Sequence, residues 1–241
     1  VNPLFLGTSA RRIFGIYEPA AQNGARPRAA VLCYPWGVEY VYAHRSMRHL
    51  AVRLSMSGWH TLRFDYFGTG DSAGECSETD LPGMESDVEL AIESLRDIAA
   101  TRRVALIGLR VGANVAARVA IRFPNEVETL VLWDPIISGD QYVRNLPAFS
   151  QAKPHDAVTS GMLQGLRGID LHTNLEGLPK NSLIVMTERQ ETYAELTRLM
   201  AVNSKTVAAE FISAPCPWVE SSTTTGALPV RVIKRIEEWL P

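Results

Sequence analysis

The chain has 241 residues, a length that suits one α/β domain with a sizeable core. Hydrophobic residues make up 46% and charged residues 21%, and the net charge of −2 argues against a nucleic-acid or membrane-surface role. No apolar run approaches the roughly 18 residues of a spanning helix, and nothing near the start reads as a secretory leader. The three cysteines, Cys33, Cys76 and Cys216, are too few and too scattered for a disulfide framework or a zinc site. The expectation is a cytoplasmic protein with no metal and no cofactor.

Residues 4–18 carry two short extended runs around Gly7-Thr8-Ser9, an edge hairpin. Ala29–Cys33 is a continuous apolar run, as in a strand buried on both faces. Tyr34-Pro35-Trp36-Gly37 breaks it. Tyr42–Ser57 then reads as a helix with Met47, Leu50, Ala51 and Leu54 on one face, stopped by Gly58. His60–Asp65 is the next strand. It runs into Gly68, Gly70 and Gly74, whose alternate spacing makes a turn but lacks the pattern of a dinucleotide fingerprint or P-loop. Asp80–Ala100 is a helix with Met84, Val88, Ala91, Ile92, Leu95 and Ile98 inward.

The most informative stretch follows. Val104 to Gly108 is a buried strand, Gly108 to Gly112 a sharp turn, and Ala113–Phe123 a helix lined with alanine. The two glycines leave no Cβ to clash in a tight turn, and the helix start directs free N–H groups at whatever lies above it. Arg110 stands at the middle of the turn. Thr129–Asp134 is a strand ending in a carboxylate. Residues 136–178 interrupt the alternation with glycines, prolines and scattered apolar residues, and read as a small lid rather than a second domain. Ser182–Glu188 is a strand, Thr192–Val202 a helix, Thr206–Ile212 the last strand and Leu228–Leu240 the closing helix. Such alternation predicts a mostly parallel sheet flanked by helices, with ligands beyond the carboxyl ends of the strands. Arg110, Trp36, Asp134, Glu188 and the loop after Ile212 should gather there.

The order of elements, the Asp65–Gly74 loop and the Gly108–Gly112 turn together resemble the α/β-hydrolase superfamily over nearly the whole chain. The loop is similar to the D-x-x-G-x-G-x-S-x-G segment of many members. The turn is similar to their G-x-S-x-G nucleophile elbow. The resemblance is to small hydrolases related to serine aminopeptidases and thioesterases, some of which accompany bacterial exopolysaccharide or secondary-metabolite pathways. It implies the α/β-hydrolase fold as a single domain over 1–241. It also implies a triad in the order Ser, acid, His. Arg110 occupies the serine position, Glu188 the acid position, and no histidine occurs after His172. A guanidinium is protonated at every accessible pH, so it can neither attack a carbonyl nor accept a proton. The resemblance therefore argues against Ser-His-Asp hydrolysis.

The resemblance places an oxyanion hole at the N–H of Val111 and that of Trp36 or Gly37. With Arg110 these donors would make an anion pocket for a carboxylate, an enolate or a phosphate. Alternatively Arg110 is structural, paired to Glu188, Asp134 or Glu220. Cys216 lies near the missing histidine and reads better as a loop thiol than as a nucleophile. Trp36 and Trp218 would wall a pocket or the core. Ser72 reads as a turn-stabilising hydroxyl, and His44 as part of a solvated helix face near the pocket mouth. Two functions stand. One is a non-canonical biosynthetic enzyme binding an acyl or carboxylate-bearing small molecule, with Arg110 and Glu188 as its catalytic residues and Trp36, Gly37, Val111, Asp134, Cys216 and Trp218 around the substrate. The other is an inactive pseudo-hydrolase that binds a small molecule or a protein. Neither needs nucleic acid or membrane, and both are compatible with a homodimer.

Overall fold

The fold is taken from a computed structural model, which describes residues 1–22, 26–146, 158–187, 193, 207–219 and 227–241, without the side chains of 174–176. Eight strands form one sheet: β1 (Asn2–Gly7), β2 (Arg12–Glu18), β3 (Arg28–Cys33), β4 (Trp59–Phe64), β5 (Val104–Leu109), β6 (Val127–Trp133), β7 (Asn181–Met186) and β8 (Val207–Phe211). Their order is β1-β2-β4-β3-β5-β6-β7-β8. The β1–β2 hairpin is antiparallel, as is the β2–β4 pair, and every pair from β4 onward is parallel. All six residues of β5 are buried, which is why its sequence is continuous rather than alternating.

Helices α1 (Val38–Met56), α2 (Leu81–Ala99), α3 (Val111–Arg122) and α6 (Val230–Trp239) belong to this scaffold. Between β6 and β7 lie α4 (Gly139–Asn145), α5 (Ser160–Arg167) and a 3-10 turn at His172–Gly177. The expected helix over 192–202 lies outside the described residues apart from Tyr193. Asp80 caps α2 by accepting from the Gly83 N–H, and Pro82 sits where a helix start tolerates it. The apolar stripe of α2 runs from Met84 to Leu95 and Ala99 as anticipated, but Ile98 is 43% exposed. In α3, Ala113, Ala116, Ala117 and Ala120 are buried, and their small side chains let the helix approach β5 and β6 closely.

One boundary differs in a way that bears on function. The helix expected from Tyr42 begins four residues earlier, at Val38, directly after Gly37. Gly37 sits at φ 67° and ψ −142°, a conformation glycine reaches without strain, and it turns the chain straight from the β3 loop into the helix. Glu39 thereby falls in the first turn of α1.

Cys33 behaves as the small apolar residue its sequence suggests. It is fully buried, and that burial pushes its thiol far above the usual range. Iodoacetamide should therefore leave Cys33 unmodified in the native protein and alkylate it in denaturant, as read by peptide mass mapping.

Candidate functional site

Arg110 links β5 to α3 with φ 55° and ψ −125°, outside the regions that L-residues ordinarily adopt. Its N–H donates to the Trp133 carbonyl at 3.0 Å, which ties the apex to β6. The turn is closed on both flanks. A Cβ on Gly108 would lie 2.5 Å from the Ala113 Cα, and one on Gly112 would lie 2.5 Å from the Cys33 carbonyl oxygen. Both distances are well inside van der Waals contact, so the two glycines are required by close backbone approach. Asn114, on the first turn of α3, holds the loop after β6. Its Oδ1 accepts from the Ile136 N–H at 2.9 Å and its Nδ2 donates to the Ile136 carbonyl at 2.8 Å.

Among the described residues, the acid that pairs with the Arg110 side chain is Glu39, which the sequence did not point to. The Arg110 Nε donates to Glu39 Oε1 at 3.2 Å, and the two side chains are only 15% and 13% exposed. Asp134 is committed elsewhere: its Oδ1 accepts from the Thr187 N–H at 2.7 Å and its Oδ2 from the Thr187 hydroxyl at 2.8 Å. The Asp134 carbonyl accepts from Arg110 Nη1 at 3.4 Å, and the Asp134 carboxylate acts on the guanidinium through its charge. Glu188 and Glu220 lie outside the described residues. Trp218 stacks on the guanidinium at 4.9 Å and Tyr142, from α4, at 5.6 Å, both within cation–π range.

Electrostatics follow from this enclosure. Burial raises the Glu39 carboxyl above its usual value, with the Arg110 charge and the nearby Tyr142 hydroxyl working against it. For Arg110, burial acts to lower the pKa, but Glu39, Tyr142, Tyr193 and Asp134 outweigh it and the net direction is upward. Glu39 Oε2 and the Tyr142 hydroxyl are buried without a hydrogen-bond partner of regular geometry among the described residues.

The remaining sequence-derived positions divide. Trp36, Gly37 and Val111 sit at the same end of the sheet, after β3 and after β5, and none of their N–H groups donates to a main-chain acceptor among the described residues. Trp36 is 8% exposed, so it belongs to the core, and Cys216 is partly buried. Ser72 does hold the glycine turn: its hydroxyl donates to the Asp65 carbonyl at 2.6 Å and accepts from the Phe14 N–H at 2.8 Å. His44 lies against Tyr34, ring centroids 5.8 Å apart. Glu39 and Tyr142 were not singled out from sequence. The spacing of Glu39 from a glycine at a strand end was the available signal, masked by starting the helix at Tyr42.

A mostly parallel eight-stranded sheet with its sharp turn after β5 defines the α/β-hydrolase fold, as the resemblance implied. The chain belongs to the family described as serine aminopeptidase, S33, whose sequence pattern it matches over residues 26–215. No curated protein sequence matches it. Solved structures similar to it include Est1E from Butyrivibrio proteoclasticus with ferulic acid bound, at 13% identity and TM-score 0.77, covering 98% of this chain and 97% of that one. The esterase PF2001 of Pyrococcus furiosus is 19% identical with TM-score 0.71, covering 99% and 89%. An α/β serine hydrolase without a lid from Xanthomonas campestris is 16% identical with TM-score 0.66, covering 100% and 95%. At such identities the likeness concerns the fold. Among the described residues, no helix is long and apolar enough to cross a membrane.

Proposed function

We propose that this chain is a non-hydrolytic member of its family, a binding module in which an Arg110–Glu39 ion pair stands where a serine nucleophile would act. The observation that carries the reading is the pair itself. A guanidinium at the apex of the elbow is neutralised by Glu39 at 3.2 Å and covered by Trp218 and Tyr142, so its charge is spent within the protein. No group at the apex can form an acyl-enzyme, because Arg110 has neither a lone pair free for attack nor a proton it gives up. The test is labelling with a fluorophosphonate probe together with hydrolysis of p-nitrophenyl acetate. The expected results are no covalent adduct and a rate equal to that of Arg110→Ala. A heat-sensitive adduct on any serine overturns the reading.

One observation favours a second reading. The N–H groups of Gly37 and Val111 have no main-chain acceptor among the described residues, and a ligand carboxylate that drew Arg110 away from Glu39 would meet them. On that reading the chain is a biosynthetic enzyme acting on an acyl or carboxylate-bearing small molecule, with Arg110 and the backbone donors stabilising negative charge. Binding of short-chain carboxylates that is lost in Arg110→Ala and strengthened in Glu39→Gln would favour it over the first.

A further inference from the structure

We propose that a second cleft, on the β2–β4 side of the sheet, binds a small organic ammonium ion, with Asp65 as its counter-ion and Tyr34, Tyr40 and His44 as aromatic walls. It does not rest on the reading of Arg110. The cleft encloses about 230 Å³ between the N-terminal half of α1 and the ends of β3 and β4. That is below the roughly 300–1,000 Å³ of sites for drug-sized ligands, so it suits one ring or a short chain.

Charge decides the class of ligand. Asp65 is 7% exposed, and no cation among the described residues pairs with it. Arg63 also lines the cleft, but it lies 3.5 Å from Glu18, and those two buried charges offset one another, which leaves the carboxylates of Asp65 and Asp71 in excess. Asp71 adds a second carboxylate to the cleft lining. A buried carboxylate without a counter-charge is costly, and an entering cation removes that cost. Asp65 also holds the glycine turn, but economically. Its Oδ1 accepts from the Tyr40 hydroxyl at 2.7 Å and its Oδ2 from the Asp71 N–H at 3.0 Å, one bond to each oxygen where a carboxylate oxygen can take two.

The walls agree with the charge. Tyr34 lies 5.2 Å from Tyr40 and 5.8 Å from His44, centroid to centroid, and aromatic faces attract ammonium groups. Tyr34 is 1% exposed and lines the cleft; its hydroxyl interacts with the Arg63 guanidinium without a hydrogen bond of regular geometry among the described residues, so it keeps acceptor capacity for an ammonium group. Burial and the Arg63 charge both hold His44 below the ordinary imidazole value, against the pull of Asp65, so it adds no competing cation near neutral pH.

The probe is phenethylamine, titrated by calorimetry near neutral pH, with phenethyl alcohol and phenylacetate as the uncharged and anionic controls. The expected result is saturable binding of the amine, weakened by about tenfold or more for the alcohol and absent for phenylacetate. Asp65→Asn should weaken amine binding by about tenfold. Because that change also loosens the glycine turn, Tyr34→Phe and Asp71→Asn are measured beside it with a circular dichroism check of folding, each expected to weaken binding by roughly two- to fivefold. Arg110→Ala should bind the amine unchanged, which separates this cleft from the elbow. Equal affinity for amine and alcohol, no saturable binding of the amine, or undiminished binding by both folded Tyr34→Phe and Asp71→Asn overturns the proposal.

Discussion

Glu39→Ala should be less stable than the parent by about 3 kcal/mol in urea melts, because it leaves a buried guanidinium that cannot shed its proton. Arg110→Ala should cost less, about 1 kcal/mol, since the abandoned carboxyl can neutralise itself by taking up a proton. The double replacement should be more stable than the two single costs predict, and the difference measures the coupling of the pair. A pH profile gives a second readout. The folded protein holds the Glu39 carboxyl above the 4.5 of an ordinary glutamate. A raised carboxyl value means that the folded state binds the proton more tightly than the unfolded one. The stability gained from it is complete below 4.5 and is lost as the pH rises through the folded value. Glu39→Gln should flatten that decline, and Arg110→Ala should extend it to higher pH. Equal costs for the two single changes, with additive energies, would show that the contact contributes nothing.

Gly112→Ala should cost about 3 kcal/mol or leave the protein unable to fold. The added methyl meets the carbonyl oxygens of Cys33 and Tyr34, which belong to backbone and cannot rotate aside. Relief would require α3 to move off the end of β3, and α3 is held there by Asn114 and by its row of buried alanines. Gly161→Ala is the matched control. It lies in α5, where a methyl group meets nothing nearer than the Thr159 Oγ1 at 4.0 Å. Helix propensity alone should then stabilise by at most about 1 kcal/mol. Differential scanning calorimetry of the two variants tests the contrast, and similar melting temperatures would remove the steric argument.

How much could be read from the chain depended on the range of the interaction. Strands such as Val104–Leu109 are buried on both faces, so burial is written locally as an unbroken apolar run. The elbow was equally local, because close approach demands glycine at two positions four apart. Ser72 was placed correctly for the same reason: its role is fulfilled within the turn that contains it. The partner of Arg110 was not legible. Glu39 is 71 residues away, whereas the sequence points to Asp134 and Glu188 at the ends of β6 and β7 and to Glu220 after the last strand. The early start of α1 hid it further, since Val38 and Val41 are β-branched and weaken the helical pattern of the first turn. The sequence marks Asp134 as a carboxylate at a strand end, yet its partner Thr187, which engages both oxygens, stands 53 residues further on.

The positive φ of Arg110 has a consequence for substitution at this apex, because the dihedral disfavours every residue except glycine. On the non-hydrolytic reading proposed above, an Arg110→Ser variant should show no esterase activity: residues 173–241 hold no imidazole to deprotonate the new alcohol, and Glu39 would lose its counter-ion. Such a variant should be both inert and less stable than the present protein.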